Sequence, residues 1–166
     1  MIDHDEPVIR PARQSDLPGM LEVLHHVNMH HIPSPEMPAL DLACFFVAHD
    51  GSGRIVGLSG YKVLSPTQGK TTLLAVHPDY KGTGLGYALQ ARRMDALVAL
   101  GVEELTTNAD RPEIIAWYKK HFGYREVGTL QKFHEFGLPD VDHWTTLRTD
   151  LRQWARRGAT GDADGR

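Results

Sequence analysis

Between a short apolar run and a helical pattern the chain reads Tyr80-Lys81-Gly82-Thr83-Gly84-Leu85-Gly86-Tyr87-Ala88. Glycines at alternate positions strip this backbone of side chains, so successive N–H groups can turn toward one anion. A helix that starts here adds the positive end of its dipole. The chemistry on offer is the binding of phosphate by main-chain donors. A Walker loop needs Lys-Ser or Lys-Thr after its last glycine, and neither follows Gly86. A dinucleotide fingerprint needs GxGxxG after an early strand, whereas this chain has GxGxG after an internal one. A tight strand-to-helix turn that binds nothing fits the bare pattern equally well.

The loop has to be held by its neighbours. Thr71–Val76 predicts a strand before it, stopped by His77-Pro78-Asp79. A helix is predicted from about Gly84 to Leu100, with Leu85, Leu89, Ala96 and Leu100 on one face and Gly101 as its C′ residue. Upstream, Val8–Arg10 reads as a strand. Ser15-Asp16 offers an N-cap to a helix over 16–28, with Leu17, Met20, Leu21, Leu24 and Val27 on its apolar side. Residues 28–43 are rich in proline and read as an irregular segment with a short helix after Pro38. Cys44–Ala48 and Ile55–Tyr61 read as an antiparallel pair about the turn Asp50-Gly51-Ser52-Gly53. Downstream, Leu105–Asn108 is a strand. Asp110 and Pro112 open a helix with Ile114, Tyr118 and Phe122 on one face, closed by Gly123. Tyr124–Val127, Leu130–Phe136 and Trp144–Leu151 follow as strands. Residues after Trp154 read as an unstructured tail. The pattern is α/β (α+β): a mixed sheet with helices on its faces.

Composition narrows the function. A length of 166 residues fits one domain, since domains cluster near ~100–200 residues. The expected division is a single domain over 1–154 and a flexible tail over 155–166. A net charge of -3 lacks the basic excess that nucleic-acid binders need. No apolar run is long enough to span a membrane, and the start of the sequence has no secretory h-region. A soluble, cytoplasmic protein is the expectation, with no nucleic-acid or membrane partner. The single cysteine, Cys44, cannot pair within the chain and reads as inert core in a strand. His26 and His30 stand four apart, as do metal ligands on a helix, but no third ligand has matching spacing, so no metal is expected. Arg148, Arg152, Arg156 and Arg157 read as a solvated basic stripe.

Context decides among the readings of the loop. Val76-x-Pro78, then Tyr80-Lys81-x-x-Gly84-x-Gly86 and a helix, resembles motif A of the GNAT superfamily of acyl-CoA-dependent N-acyltransferases. Asn108 at a strand end, then Ala116, Tyr118 and Gly123-Tyr124, resembles the second block of that family, in slightly altered spacing. Ile9-Arg10-x-Ala12 and Asp16 look like its opening. The resemblance runs over about residues 8–150.

It implies a mostly antiparallel, splayed sheet of six to seven strands with about four flanking helices. It also implies acetyl-CoA as acyl donor and a primary amine as acceptor, in a direct transfer within a ternary complex. By this likeness Lys81, Gly82, Thr83, Gly84, Leu85, Gly86 and Tyr87 hold the donor's diphosphate, mainly through backbone amides. Leu74, Ala75 and Val76 form the strand edge for pantetheine, with the Val76 N–H on the thioester oxygen, and Asn108 bonds the pantetheine. Tyr118 takes the place of the acid that protonates the departing thiolate. Many members carry a glutamate base on the strand before the loop, but Lys70–Val76 has no carboxylate, so the base is elsewhere or the amine binds uncharged. His134, Glu135, Asp142 and His143 fall in the region that flanks the acceptor pocket. Glu135, Asp140 and Asp142 there point to a cationic, small-molecule or peptide acceptor. The family also dimerises often, which leaves a homodimer open. The missing carboxylate keeps one alternative alive: a non-catalytic acyl-CoA-binding or regulatory module.

Overall fold

The computed structural model describes residues 6–27, 40–132 and 139–161. Among them the chain forms β1 (Val8–Pro11), α1 (Leu17–His26), β2 (Phe45–His49), β3 (Ile55–Val63), β4 (Gln68–Val76) and α2 (Leu85–Ala99). These are followed by β5 (Glu104–Ala109), α3 (Pro112–Phe122), β6 (Arg125–Gln131), β7 (His143–Asp150) and α4 (Leu151–Gly161). The strands make one sheet in the order β1-β2-β3-β4-β5-β7-β6, with β4 and β5 parallel. This mixed seven-stranded sheet with four helices falls within the six to seven strands and about four helices that the resemblance implies. The chain divides into two compact units, residues 1–61 with 72–93 and residues 62–71 with 94–166, and the division falls inside β3, β4 and α2.

In the first unit, α1 buries Met20, Val23 and Leu24 at 0–1% exposure, a stripe of 3.6-residue period. Leu21 was expected on that face, but it stands one position off the stripe and is 40% exposed. Asp16 does not cap α1 with its side chain. It accepts instead from both Arg10 guanidinium nitrogens, at 2.7 and 2.9 Å, and from the Arg13 N–H at 2.7 Å. Those bonds to Arg10 are the main reason its carboxyl lies below the ordinary carboxylate range. Cys44 belongs to a 3-10 turn, Leu42–Cys44, rather than to the strand. Asp41 caps that turn, and the half-buried thiol lies 3.6 Å from its carboxylate. Residues 28–39, which hold His30 and Pro38, lie outside the described residues.

Arg93 is fully buried. Its guanidinium donates to Gln90 Oε1 at 2.6 Å and to the carbonyls of Gly60 and Leu73 at 2.9 and 3.1 Å. A charged group that deep is tolerated because its donors meet acceptors. It ties α2 to the backbones of β3 and β4.

In the second unit, β7 pairs with β5 from Glu104↔Asp150 to Ala109↔Thr145 and, on its other edge, with β6. The expected break between Val127 and Leu130 is absent, because β6 runs through it. Gly128 is accommodated by a register shift between Glu126 and Gly128 rather than by a turn. Residues 133–136 of the expected strand lie outside the described residues. The C-terminus is the larger correction: residues 155–161 continue α4 instead of forming an unstructured tail. Leu151 is fully buried, the Trp154 ring lies 5.7 Å from that of Phe122, and its indole N–H donates to Asp95 at 2.8 Å. Arg157 adds a bond to the His121 carbonyl at 3.1 Å. These contacts anchor α4 within the second unit.

Candidate active site

The loop in the first unit is built almost entirely of backbone. A 3-10 turn, Pro78–Tyr80, leads into it, and Gly82 and Gly84 take φ of +79° and +88°. Side chains rarely adopt that region, while glycine does so without steric cost. A Cβ at either position would meet nothing within 4 Å, so these glycines are required by conformation and the space beside them is open. The first helical bond runs from the Ala88 N–H to the Gly84 carbonyl at 3.1 Å, so the amides before it point out of the helix start into the loop. Thr83 is committed to the loop itself, since its N–H and its hydroxyl both donate to the Tyr80 carbonyl, at 3.3 and 2.6 Å. Lys81 is exposed. An uncovered backbone, exposed amides and a cation suit a diphosphate, so the residues present fit the donor.

The base of the loop is fixed by packing. Leu85 and Leu89 join Ala48 and Val56 in a buried cluster, with Leu74, Val76 and Tyr80 against it. Gly57 allows α2 to lie close, since a Cβ there would come within 2.8 Å of Leu89. His77, 6% exposed, anchors the turn. Its N–H donates to Val56 O at 2.8 Å, and its ring Nε2 lies 2.8 Å from an Arg54 guanidinium nitrogen. The Asp79 backbone N–H donates to Nδ1 of the same ring at 3.1 Å, so the imidazole is held at both nitrogens. The Asp79 carboxylate lies 3.6 Å from Nδ1, and the His26 ring stands edge-on at 4.7 Å. His26 thus contacts a histidine and, more distantly, Glu22. Among the described residues no group of three His, Cys, Asp or Glu side chains could hold a metal.

Asn108 and Tyr118 belong to the second unit. Pairing of β5 with β4 covers Gln68↔Glu104 to Lys70↔Thr106 and stops, while β5 stays paired with β7 to Ala109. Asn108, exposed near that end, accepts from the Thr146 hydroxyl at 2.7 Å through Oδ1, which fixes its amide and directs the NH₂ donors away. Just beyond, Asp110 and Lys132 form a buried ion pair at 2.7 Å, with the ammonium 4.5 Å from the centre of the Trp144 ring. Sequence reading missed this tie, because its members stand far apart in the chain.

Tyr118 is 4% exposed, one of a set of rings on α3 and beyond. Trp117 and Tyr124 lie 5.1 and 5.0 Å away, and Phe122 6.5 Å. The expected inward face holds for Tyr118 and Phe122, whereas Ile114, a turn earlier, is 38% exposed. His134 and Glu135 lie outside the described residues. Asp142 pairs with the His143 ring at 3.1 Å, and this bond holds its carboxyl below the ordinary range.

The model of the acetyltransferase (GNAT) domain matches residues 41–126, just over half of the chain, which therefore belongs to the GNAT acetyltransferase family. A mycothiol acetyltransferase of Clavibacter michiganensis subsp. michiganensis is 36% identical over 85 residues, covering 50% of this chain and 28% of that protein. The chain thus spans under a third of the length of that relative. Among solved structures, Ard1 from Thermoplasma volcanium superposes with a TM-score of 0.70 at 17% identity, over 87% of this chain and 97% of its own. A phosphinothricin acetyltransferase from Sinorhizobium meliloti, solved with AcCoA, gives 0.67 at 18% identity, over 87% of this chain and 88% of its own. Family and fold agree with the motif resemblance: this is a domain of the GNAT acetyltransferase family. No helix among the described residues is long and apolar enough to cross a membrane.

Proposed function

We propose that this chain moves the acetyl group of acetyl-CoA to a primary amine by direct attack within a ternary complex. The observation that carries this reading is the Gly82–Gly86 loop, whose positive φ angles and bare amides precede α2. The donor supplies an activated thioester. The amides of Gly82, Gly84, Leu85, Gly86 and Tyr87 hold its diphosphate, the Thr83 N–H being engaged by the Tyr80 carbonyl, and the Lys81 ammonium adds charge without a bidentate fork. Leu74, Ala75 and Val76 offer their strand edge to the pantetheine, and Asn108, with its carbonyl oxygen held by Thr146, offers an N–H. The Val76 N–H stabilises the negative charge that builds on the thioester oxygen. Tyr118 gives its hydroxyl proton to the departing sulfur. The amine sheds its own proton to water or arrives uncharged, because β4 carries no carboxylate to act as base.

The acceptor is a small-molecule or peptide amine, and the reaction belongs in the cytoplasm, with no nucleic-acid or membrane partner. A homodimer, which the family resemblance leaves open, is tested directly by light scattering. Thiol release from acetyl-CoA across an amine library tests the activity. Turnover with at least one amine, and a melting point raised by acetyl-CoA but not by ATP or NAD, is the expected result. At ~100 times its dissociation constant a ligand stabilises by ~2.7 kcal/mol. A shift with acetyl-CoA and no turnover with any amine would instead favour a binding module.

A further inference from the structure

The β3–β4 hairpin of the second unit carries a charge arrangement that costs the free protein stability. The Leu64 N–H donates to the Gln68 carbonyl at 2.8 Å, which sets the register of the two strands. Two residues back along each strand, Lys62 stands directly opposite Lys70. Like charges in that position repel. Lys70 is half-buried, so it cannot simply swing into water, while Lys62 is exposed. Burial first, and then the charge of Lys62, holds the Lys70 ammonium below the usual lysine range. Among the described residues no carboxylate forms an ion pair with either, in contrast to the pairs at Arg10–Asp16, Lys132–Asp110 and Arg148–Glu104. A half-buried cation opposed by a second, exposed one, with no ion pair to either, is relieved by an anion from outside the chain. Lys70 also lies on β4, the strand that continues to Val76 and the diphosphate loop.

We propose that Lys62 and Lys70 form an anion subsite that selects an amine acceptor bearing a carboxylate or phosphate. The assignment to the acceptor rests on the acetyl-transfer reading above. The anion subsite itself rests on the hairpin alone.

The test compares wild-type protein with the double variant Lys62→Gln/Lys70→Gln, both saturated with acetyl-CoA so that the diphosphate loop is filled. Glutarate and inorganic phosphate are the binding probes, and whichever raises the melting point identifies the anion. That rise is expected in the wild type and is lost in the variant. In turnover, 4-aminobutyrate is set against its amide and phosphoethanolamine against ethanolamine. The anionic member of one pair should show a KM at least tenfold lower, an advantage the variant erases while its KM for acetyl-CoA is unchanged. Without ligands the variant should melt higher, because the repulsion is gone; a merely structural role would lower it. The proposal is overturned if neither probe stabilises the wild type, if the variant keeps the shift or the preference, or if its KM for acetyl-CoA rises, which would assign the pair to the donor. Should no amine be turned over, the acetyl-transfer reading fails, and the glutarate and phosphate shifts still decide the anion subsite.

Discussion

The loop at 80–86 and the surroundings of Tyr118 are built in opposite ways. In the loop the groups proposed to work are amides, and what the sequence must provide is the absence of side chains and the freedom to reach positive φ at Gly82 and Gly84. Around Tyr118 the group proposed to work is one hydroxyl, and its ring is packed among those of Trp117, Phe122 and Tyr124. Changes that alter only side chains should therefore be mild in the first region and severe in the second, whereas changes to backbone freedom should reverse that order.

The largest effect is expected from Tyr118→Phe, which removes one oxygen from a buried ring. Turnover should fall about 10²–10⁴-fold, the range for a positioned proton donor. Affinity for acetyl-CoA, measured by calorimetry, should stay within a factor of two. Undiminished turnover would remove Tyr118 from the chemistry. A control outside both regions is Asp16→Asn, which breaks the charged fork with Arg10. It should cost about 2 kcal/mol at neutral pH, as charge-assisted hydrogen bonds do, or about 4–8 °C in melting temperature at this chain length. The Asp16 carboxyl is held below its ordinary value in the folded state, chiefly by the bonds from Arg10. Its contribution is therefore complete above the unfolded carboxylate range near ~3.9 and drains away as pH falls through the folded value. Melting curves of wild type and variant should converge on acidification; divergence would contradict the assignment.

Gly84→Ala comes next. A side chain at a φ of +88° is strained even though nothing crowds it. A cost of about 1–2 kcal/mol is expected, read as roughly tenfold weaker acetyl-CoA binding. An unchanged dissociation constant would mean that the loop does not depend on its backbone shape. The smallest effect belongs to Lys81→Ala, which removes an exposed charge and leaves the amides in place. Binding should weaken about threefold at low salt, and the difference should vanish near 1 M salt, where the Debye length is about 3 Å.

The same contrast explains which parts of the molecule could be read in advance. The loop was legible because a need for positive φ writes itself into the chain as glycine, and the ends of α2 and α3 at Gly101 and Gly123 were legible for the same reason. The position of Tyr118 was legible from helical spacing, but Ile114 on the nominal face is exposed, since periodicity gives a direction and not the extent of the surface that covers it. Helix α4 was missed because its anchors, Trp154 on Phe122 and on Asp95, come from distant parts of the sequence. Arg93 was passed over because arginine usually marks a surface, whereas here backbone carbonyls of β3 and β4 satisfy it. Lys62 and Lys70 gained meaning only once the hairpin register set them face to face.

The outermost strands of the sheet are β1 and β6, and open strand edges attract further strands. β1 is only four residues long and ends on Pro11, whose nitrogen has no proton to offer a newcomer. β6 is longer and exposed along its whole length, but the shift between Glu126 and Gly128 breaks its regular row of donors and acceptors, and Arg125 and Glu126 stand charged at its start. Growth of the sheet by another molecule's strand is thus blocked on one side by length and proline, and on the other by irregularity and charge. The expected consequence is an edge that does not seed fibres in concentrated solution.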